Sequence, residues 1–324
     1  MEKTVLGRTG LSVTVAGLGC GGHSRLGLFS QGKEHACGII RCAYENGVNF
    51  FDTATAYGTQ PAVGQALRDV PRDRYVLSTK FPYRKDGAMQ PSAALESNLD
   101  ASLKELRTDC IDIYHLHGVF PGDYIAARDR FYPELVKMRE KGKIRFFGIT
   151  EIFGGDTTHQ MLKLALNDDL WDVMMVGYNL LNPSAAKTVL PMMQAKKVGA
   201  LCMFAVRSAL SDPQMLKLDI QKMIANGQVD TSLVKEDHTL DFLLQDGTAK
   251  SIMEAAYRFC RHTNGIDVTL TGTSSAEHLK KNLRSISELP LPVPVLQKLA
   301  QMFGNVDCVS GQQDFPKLNT IITK

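Results

Sequence analysis

Residues 48–80 read Val48-Asn-Phe-Phe-Asp52-Thr-Ala-Thr-Ala-Tyr57-Gly-Thr-Gln-Pro-Ala62-Val-Gly-Gln-Ala-Leu-Arg68-Asp-Val-Pro-Arg-Asp-Arg-Tyr75-Val-Leu-Ser-Thr-Lys80. The stretch opens on a short apolar run, Val48–Phe51, that ends in an aspartate. A polar turn and an amphipathic segment, Ala62–Arg68, follow. A second apolar run, Tyr75–Ser78, ends beside a lysine. Short apolar runs bounded by turn residues read as buried strands, and apolar residues at helical spacing between them read as a covering helix. The stretch is one strand–helix–strand unit.

The same unit recurs in both directions. Apolar runs occupy Val15–Leu18, Val48–Phe51, Tyr75–Ser78, Ile111–Tyr114, Ile144–Ile149, Val173–Val176, Ala200–Phe204 and Val268–Leu270. Helical segments follow at Glu34–Glu45, Ala62–Arg68, Ala93–Leu106, Tyr132–Lys141, Thr158–Leu166, Ala185–Lys196, Ala249–Arg261 and Ala276–Arg284. Asn46-Gly47 and Lys141-Gly142 supply helix stops. Strand followed by helix eight times predicts an α/β fold, a closed (β/α)8 TIM barrel, as one domain spanning residues 1–324. Thr4–Leu6 and Leu11–Val13, on either side of Gly7-Arg-Thr-Gly10, predict an N-terminal hairpin. Between Phe204 and Ala249 lies a long connection without a clear single element, expected at the C-terminal mouth of the barrel. A last helix is expected at Pro294–Phe303.

A net charge of +3 without a compact basic block excludes a nucleic-acid or membrane-surface field. No apolar run reaches the roughly 20 residues of a membrane helix, and the first residues lack the apolar core of a signal peptide. A cytoplasmic location is expected. The seven cysteines, from Cys20 to Cys308, are scattered and never spaced Cys-x-x-Cys. That spacing favours buried free thiols over a disulfide framework or a metal site.

Functional residues of such a barrel lie just past the C-terminal ends of its strands. Reading onward from the second, third and fourth runs gives Asp52 and Tyr57, then Lys80, then His117. Each residue alone has an ordinary reading: a loop cap, a solvated lysine, a core histidine. Together they form a proton-transfer set. A free phenol titrates near pH 10, a neighbouring ammonium lowers that value, a carboxylate holds the ammonium, and a histidine orients a carbonyl oxygen. His115 is expected to point away from His117.

Phe51-Asp-Thr-Ala-Thr-Ala-Tyr-Gly58, Ser78-Thr-Lys80, Ile111-Asp-Ile-Tyr-His-Leu-His117 and Lys141-Gly-Lys-Ile-Arg-Phe-Phe-Gly-Ile149 together resemble the aldo-keto reductase superfamily. So do Leu6-Gly-Arg-Thr-Gly-Leu11, Tyr178-Asn-Leu-Leu181 and Gly272-Thr-Ser-Ser-Ala-Glu-His-Leu279 with Asn282. The resemblance implies NADPH or NADH as cofactor, a small carbonyl or sugar as substrate, and the tetrad Asp52, Tyr57, Lys80 and His117, with Tyr57 as general acid and base. It leaves open a regulatory subunit that senses nicotinamide nucleotide, because fold and cofactor binding do not guarantee turnover.

The cofactor residues depart from the family pattern. The pair that usually reads Ser-Asn is Thr150-Glu151, a usual Gln is Met175, and the aromatic that stacks on nicotinamide is Phe204. Arg207 follows it, where it is read either as a grip on the pyrophosphate or as the partner of a surface acid. Gly21 is read as a close approach of backbone to cofactor. At the adenosine end, the positions that often carry Lys and Arg hold Gly272 and His278, with Thr273, Ser274 and Asn282 as remaining contacts. Fewer fixed cations predict a relaxed cofactor preference, or NAD(H). His23, Phe81, Phe120 and Tyr124 are candidates for the substrate wall, with Tyr124, Arg128 and Arg130 expected in a loop over the mouth.

Overall fold

The structure, a computed structural model, describes residues 1–312 apart from 235–237. Eight parallel strands close into a barrel: β1 (Ala16–Gly19), β2 (Phe50–Asp52), β3 (Val76–Phe81), β4 (Ile111–Val119), β5 (Ile144–Glu151), β6 (Val173–Gly177), β7 (Gly199–Met203) and β8 (Val268–Thr271). Each pairs with its chain neighbour, and β8 closes on β1 through Thr269 opposite Ala16. The (β/α)8 reading is correct. Outside the barrel lie α1 (Lys33–Glu45), α2 (Gln60–Ala66), α3 (Ala94–Leu106), α4 (Tyr124–Glu140), α5 (Gln160–Asp168), α6 (Val189–Ala195), α7 (Pro213–Ala225), α8 (Ile252–Arg261), α9 (Ala276–Ser287) and α10 (Val293–Phe303).

Alternation along the strands sorts the barrel interior into layers. The lower layer is apolar: Phe50, Val76, Ile113, Val173, Leu201 and Val268 pack together. The N-terminal hairpin, Lys3–Val5 paired with Ser12–Thr14, closes that end and pushes Leu6, Leu11 and Val13 into the same cluster. One step higher, the inward positions become polar: Asp52 on β2, Ser78 and Lys80 on β3, His115 on β4. The apolar floor excludes water from below, so the polar layer is buried yet opens at the mouth.

Two expectations change. The segment with Tyr124, Arg128 and Arg130 is the start of α4 and not a loop. Its buried residues Tyr124, Ala127, Phe131, Leu135 and Met138 recur at helical spacing, and the many charges between them obscure the period. The long connection after Phe204 carries α7, whose N-terminus is capped by the Asp212 side chain. That helix forms a second apolar cluster with α8 and α10, through residues such as Leu216, Ile220, Ala255, Met302 and Phe303. A short hairpin not anticipated above pairs Arg84–Lys85 with Ala88–Met89; its turn residues Asp86 and Gly87 both have positive φ (50° and 78°), the conformation a tight hairpin turn requires.

Candidate active site

Side-chain alternation brings the acidic and basic residues of β2 and β3 together. Asp52 lies opposite Ser78 in the strand register, and Lys80 lies opposite His115. Lys80 Nζ donates to Asp52 Oδ2 at 2.6 Å and to the Thr53 carbonyl at 2.7 Å. Ser78 Oγ donates to the other Asp52 oxygen at 2.7 Å. The carboxylate is therefore fully engaged, and both charged side chains are almost completely buried. Burial by itself pushes the Lys80 ammonium down; the charge and hydrogen bond of the Asp52 carboxylate oppose it, and the ammonium is left raised, hence charged.

Tyr57 projects from the loop after β2. Lys80 Nζ lies 5.1 Å from the centre of its ring, and its hydroxyl is 3.4 Å from His117 Nε2. Burial raises the phenol; Lys80 and, more weakly, Arg207 oppose the rise without cancelling it, so Tyr57 is a protonated acid at neutral pH. Burial, assisted by the Lys80 charge, pushes His117 down to about 3, so its imidazole is neutral. A neutral imidazole, a protonated phenol and a charged ammonium converge at the mouth. The tetrad read from the sequence is assembled in space.

A bulge aims His117. Between β4 and β5 the register runs from Leu116 opposite Ile149 to Val119 opposite Glu151, one extra residue on β4. Thr150 Oγ1 accepts the Gly118 N–H of that bulge at 2.7 Å. Bulges re-aim side chains beside active sites. His115, expected to point outward, is on the same inward face as His117, because residues two apart on a strand share a face. Ser78 spends its proton on Asp52, so His115 Nε2 donates to Ser78 Oγ at 3.0 Å. A Cβ on Gly148 would sit 2.1 Å from the His115 ring, so β5 is glycine where the imidazole crosses.

The cofactor residues read from the sequence fall into three groups, of which Thr150 and Glu151 form the last. Gly21, Phe204 and Arg207 line one cleft with Asp52 and Tyr57. Gly21 backs Tyr57 directly: a Cβ there would lie 2.6 Å from the phenol ring. Phe204 has a left-handed φ of 71°, and the Arg207 guanidinium carbon stands 3.3 Å from its ring centre. Thr273, Ser274, His278 and Asn282 gather beyond β8 at the start of α9. There Thr273 Oγ1 accepts the Ser275 N–H at 3.2 Å, the Ser274 carbonyl meets His35 Nε2 at 2.6 Å, and Asn282 donates to Thr271 Oγ1 at 3.0 Å. His278 is exposed, and Lys281 is paired with Glu277 at 2.7 Å. The cleft fits a flat, phosphate-bearing ligand: glycine backbone lines it, and Arg207 Nε is a buried donor with no hydrogen-bond partner among the described residues.

Thr150 and Glu151 are turned to other partners. The Glu151 side chain is wholly buried; its Oε1 accepts the Gly177 N–H at 2.7 Å, and both oxygens lie 3.0 Å from His159 Nδ1. Asn182 donates through Nδ2 to two carbonyls, so its Oδ1 accepts the Ser184 hydroxyl at 2.6 Å. His159 Nε2, 3.1 Å from Ser184 Oγ, must then carry a proton. Burial raises the Glu151 carboxyl, and the facing His159 and the Gly177 N–H oppose the rise. His159 is not signalled by any motif, and only the fold places it.

Of the four residues proposed for the substrate wall, two are at the mouth and two are not. Phe120 is 39% exposed at the end of β4, and His23 Nε2 is 3.1 Å from Gln312 Nε2 of the C-terminal segment. Phe81 follows the inward Lys80, so it faces outward and packs edge-on against Phe131 of α4 at 5.1 Å. Tyr124 is buried between helices, donating to Asp168 at 2.7 Å and accepting from Trp171 Nε1 at 3.1 Å. Arg25, not singled out in the sequence, donates to the carbonyls of Ala56 and Tyr57 at 3.1 Å each and so holds the Tyr57 turn.

Similar proteins point the same way. The sequence is 26% identical over 296 residues to L-galactose dehydrogenase of Arabidopsis thaliana, covering 89% of each chain. It is 32% identical over 163 residues, 47% of this chain, to a probable aldo-keto reductase of Glycine max. An aldo-keto reductase from Bacillus halodurans in its holo form superposes with a TM-score of 0.70 at 24% identity, over 93% of this chain and 96% of that one. One from Klebsiella pneumoniae, solved in complex with NADP and acetate, gives 0.67 at 21% identity, over 94% and 97%. Residues 19–302 match the profile of the aldo/keto reductase family, so the chain belongs to that family and is an NAD(P)-dependent oxidoreductase.

Proposed function

We propose that the protein interconverts an aldehyde, ketone or sugar carbonyl and its alcohol, with Tyr57 as the proton donor and acceptor. One observation carries this reading: a protonated Tyr57 lies against a neutral His117 and beside a Lys80 that a buried Asp52 holds charged. When bound, the nicotinamide supplies or takes the hydride. The chain's own groups handle the rest. His117 orients the carbonyl oxygen, Tyr57 passes it a proton, and the Lys80 ammonium stabilises the phenolate left behind. Asp52 and Ser78 fix Lys80 and do not touch the substrate. Arg207, Gly21 and Phe204 are proposed to face the cofactor in the cleft, and Thr273, Ser274, His278 and Asn282 to meet its adenosine end. Phe120 and His23 are proposed to border the substrate.

The likeness to an L-galactose dehydrogenase places aldoses in the first substrate panel. The decisive experiment follows nicotinamide absorbance with NADPH and NADH against aldehydes, ketones, quinones and aldoses, for wild type and Tyr57→Phe. Turnover that falls by about a hundredfold or more in the variant, with cofactor binding retained, supports the reading. Tight cofactor binding with no turnover of any carbonyl or alcohol overturns it in favour of a nucleotide-sensing subunit. The same titrations read cofactor preference. With Lys281 tied to Glu277 and no Arg at position 278, NADH is expected to bind as well as NADPH or better. A preference for NADPH of about a hundredfold would contradict this; that contrast corresponds to a well-paired phosphate contact.

A further inference from the structure

His115 is a buried imidazole that the proposed proton transfer leaves unused. It is wholly inaccessible, on the inward face of β4 between His117 and Ile113, a residue of the apolar floor. Packing does not explain it. A leucine would extend the floor upward, whereas the imidazole crosses β5 only because position 148 is glycine. One ring nitrogen gains nothing there: Nδ1 is pressed against the backbone of Gly148 and Ile149, with no hydrogen-bond partner of good geometry among the described residues. A buried acceptor left unpaired costs stability, and such a group in a folded protein calls for a reason.

The other nitrogen points to one. Nε2 lies 3.0 Å from Ser78 Oγ, Ser78 Oγ lies 2.7 Å from Asp52 Oδ1, and Asp52 Oδ2 lies 2.6 Å from Lys80 Nζ. Lys80 Nζ stands 5.1 Å from the centre of the Tyr57 ring. A hydroxyl has one proton and two acceptor lone pairs. With Nε2–H on a lone pair, the Ser78 proton is directed at Asp52, and successive hydrogen bonds in such a chain polarise one another. A carboxylate that shares its charge with Ser78 pulls less on the Lys80 proton, so the ammonium is left to face the phenol. The charged and titratable groups around His115 are Lys80 on β3 and His117 on its own strand, with Asp52 of β2 one link away through Ser78; β5 presents backbone there. Burial first, and the Lys80 charge second, hold His115 well below its ordinary value, so it is a neutral donor at working pH.

We infer that His115 is a positioning residue of the proton-transfer set, acting through Ser78 and Asp52 on the ammonium that stabilises the Tyr57 phenolate. The inference deepens the hydride-transfer reading and rests on it for the role of Tyr57. Without the Nε2–H, Asp52 holds the Lys80 proton more tightly and Tyr57 becomes a weaker acid.

The test is a carbon-13 NMR titration of ring-labelled tyrosine, with the Tyr57 signal assigned by Tyr57→Phe. Wild type is compared with His115→Leu, His115→Gln, Ser78→Ala and the His115→Leu/Ser78→Ala double variant. In His115→Leu, Tyr57 is expected to titrate about half a pH unit or more higher, roughly a threefold loss of acidity. His115→Gln keeps an N–H for Ser78 and should restore the wild-type titration. Ser78→Ala should move it upward as well, and the double variant should go no further than Ser78→Ala alone, because both changes act through one hydroxyl. The same order is expected of kcat, about threefold lower in His115→Leu at an unchanged KM and restored in His115→Gln. An unmoved titration with unchanged kcat in His115→Leu, additive effects in the double variant, or a lower melting temperature with an unmoved titration overturns the inference. If the leucine variant does not fold, His115→Met replaces it under the same thresholds. The titration needs neither cofactor nor substrate. It stands whether or not any carbonyl is turned over, so failure of the inference and failure of the hydride-transfer reading are separately visible.

Discussion

The phenol of Tyr57 rests on backbone that has no side chain to offer. A methyl group on Gly21 would lie 2.6 Å from the ring, inside any tolerable contact, so the ring or the loop must shift. Gly21→Ala is expected to move the hydroxyl off His117 and lower kcat about a hundredfold, because proton transfer depends on position at the ångström level. Thermal unfolding should change little. Near-wild-type kcat in the alanine variant would show that Tyr57 tolerates displacement. The tetrad itself was legible from sequence because each member follows an apolar run, and residues at strand ends converge by construction in a barrel. Glu151 was misread for the opposite reason. Its place in the family pattern suggested a cofactor contact, whereas its hydrogen bonds go to His159 and Gly177, which no local pattern links to it.

At the scale of elements, the start of β4 is pinned by one buried carboxylate. Asp112 accepts from Arg72 at 2.6 Å, Arg145 at 2.8 Å and the Leu77 N–H at 2.8 Å, tying β4 to β3 on one side and β5 on the other. Asp112→Asn keeps the shape but loses the charge and leaves donors facing donors. Urea denaturation should register a loss of about 2 kcal/mol or more, while kcat of the folded fraction stays unchanged because the tetrad lies at the other end of the strand. A variant as stable as wild type would mean that the two partly exposed arginines contribute nothing beyond solvation. Helix α4 shows why element boundaries were harder to read than element types. Its inward residues keep helical spacing, but Arg128 and Arg130 on its first turns face Asp168 and the carbonyls of Met89 and Gln90, and charges near a predicted mouth read as a loop.

For the whole molecule, the polar layer above the apolar floor sets the acid limit. Burial and the Lys80 charge depress His117 to about 3, and burial with the same charge holds His115 well below its ordinary value. Both imidazoles take up protons more readily in the unfolded chain than in the folded one. Between pH 6.5 and about 3 these two side chains therefore bind more protons in the unfolded state, and the stability they contribute is lost as pH falls through that window; Asp267, raised by burial to about 6, acts in the opposite sense. Denaturation midpoints should decline from pH 7 to pH 4, and His117→Asn should flatten the decline. An unchanged slope in that variant would place the loss on carboxylates instead. Carboxylates held by cations act lower: Glu96, held to about 2 by hydrogen bonds from Lys141 and Lys143, loses its contribution only below its ordinary value of 4.5.

The sequence by itself determined the barrel, its eight-fold order, the hairpin that plugs it and the four side chains, Asp52, Tyr57, Lys80 and His117, that converge at its mouth. All of these depend on local periodicity: period two buries a strand, period near four covers it with a helix, and strand ends fall at the mouth. Tertiary structure alone decided which polar groups stay free for a ligand. Thr150 anchors the bulge that aims His117, Glu151 is paired with His159, Tyr124 and Phe81 are drawn into helix packing, and Arg207 lies on the face of Phe204 with no anion among the described residues. Each outcome is a choice among distant partners. A buried polar group must find a partner wherever the fold supplies one, and sequence spacing does not encode that competition.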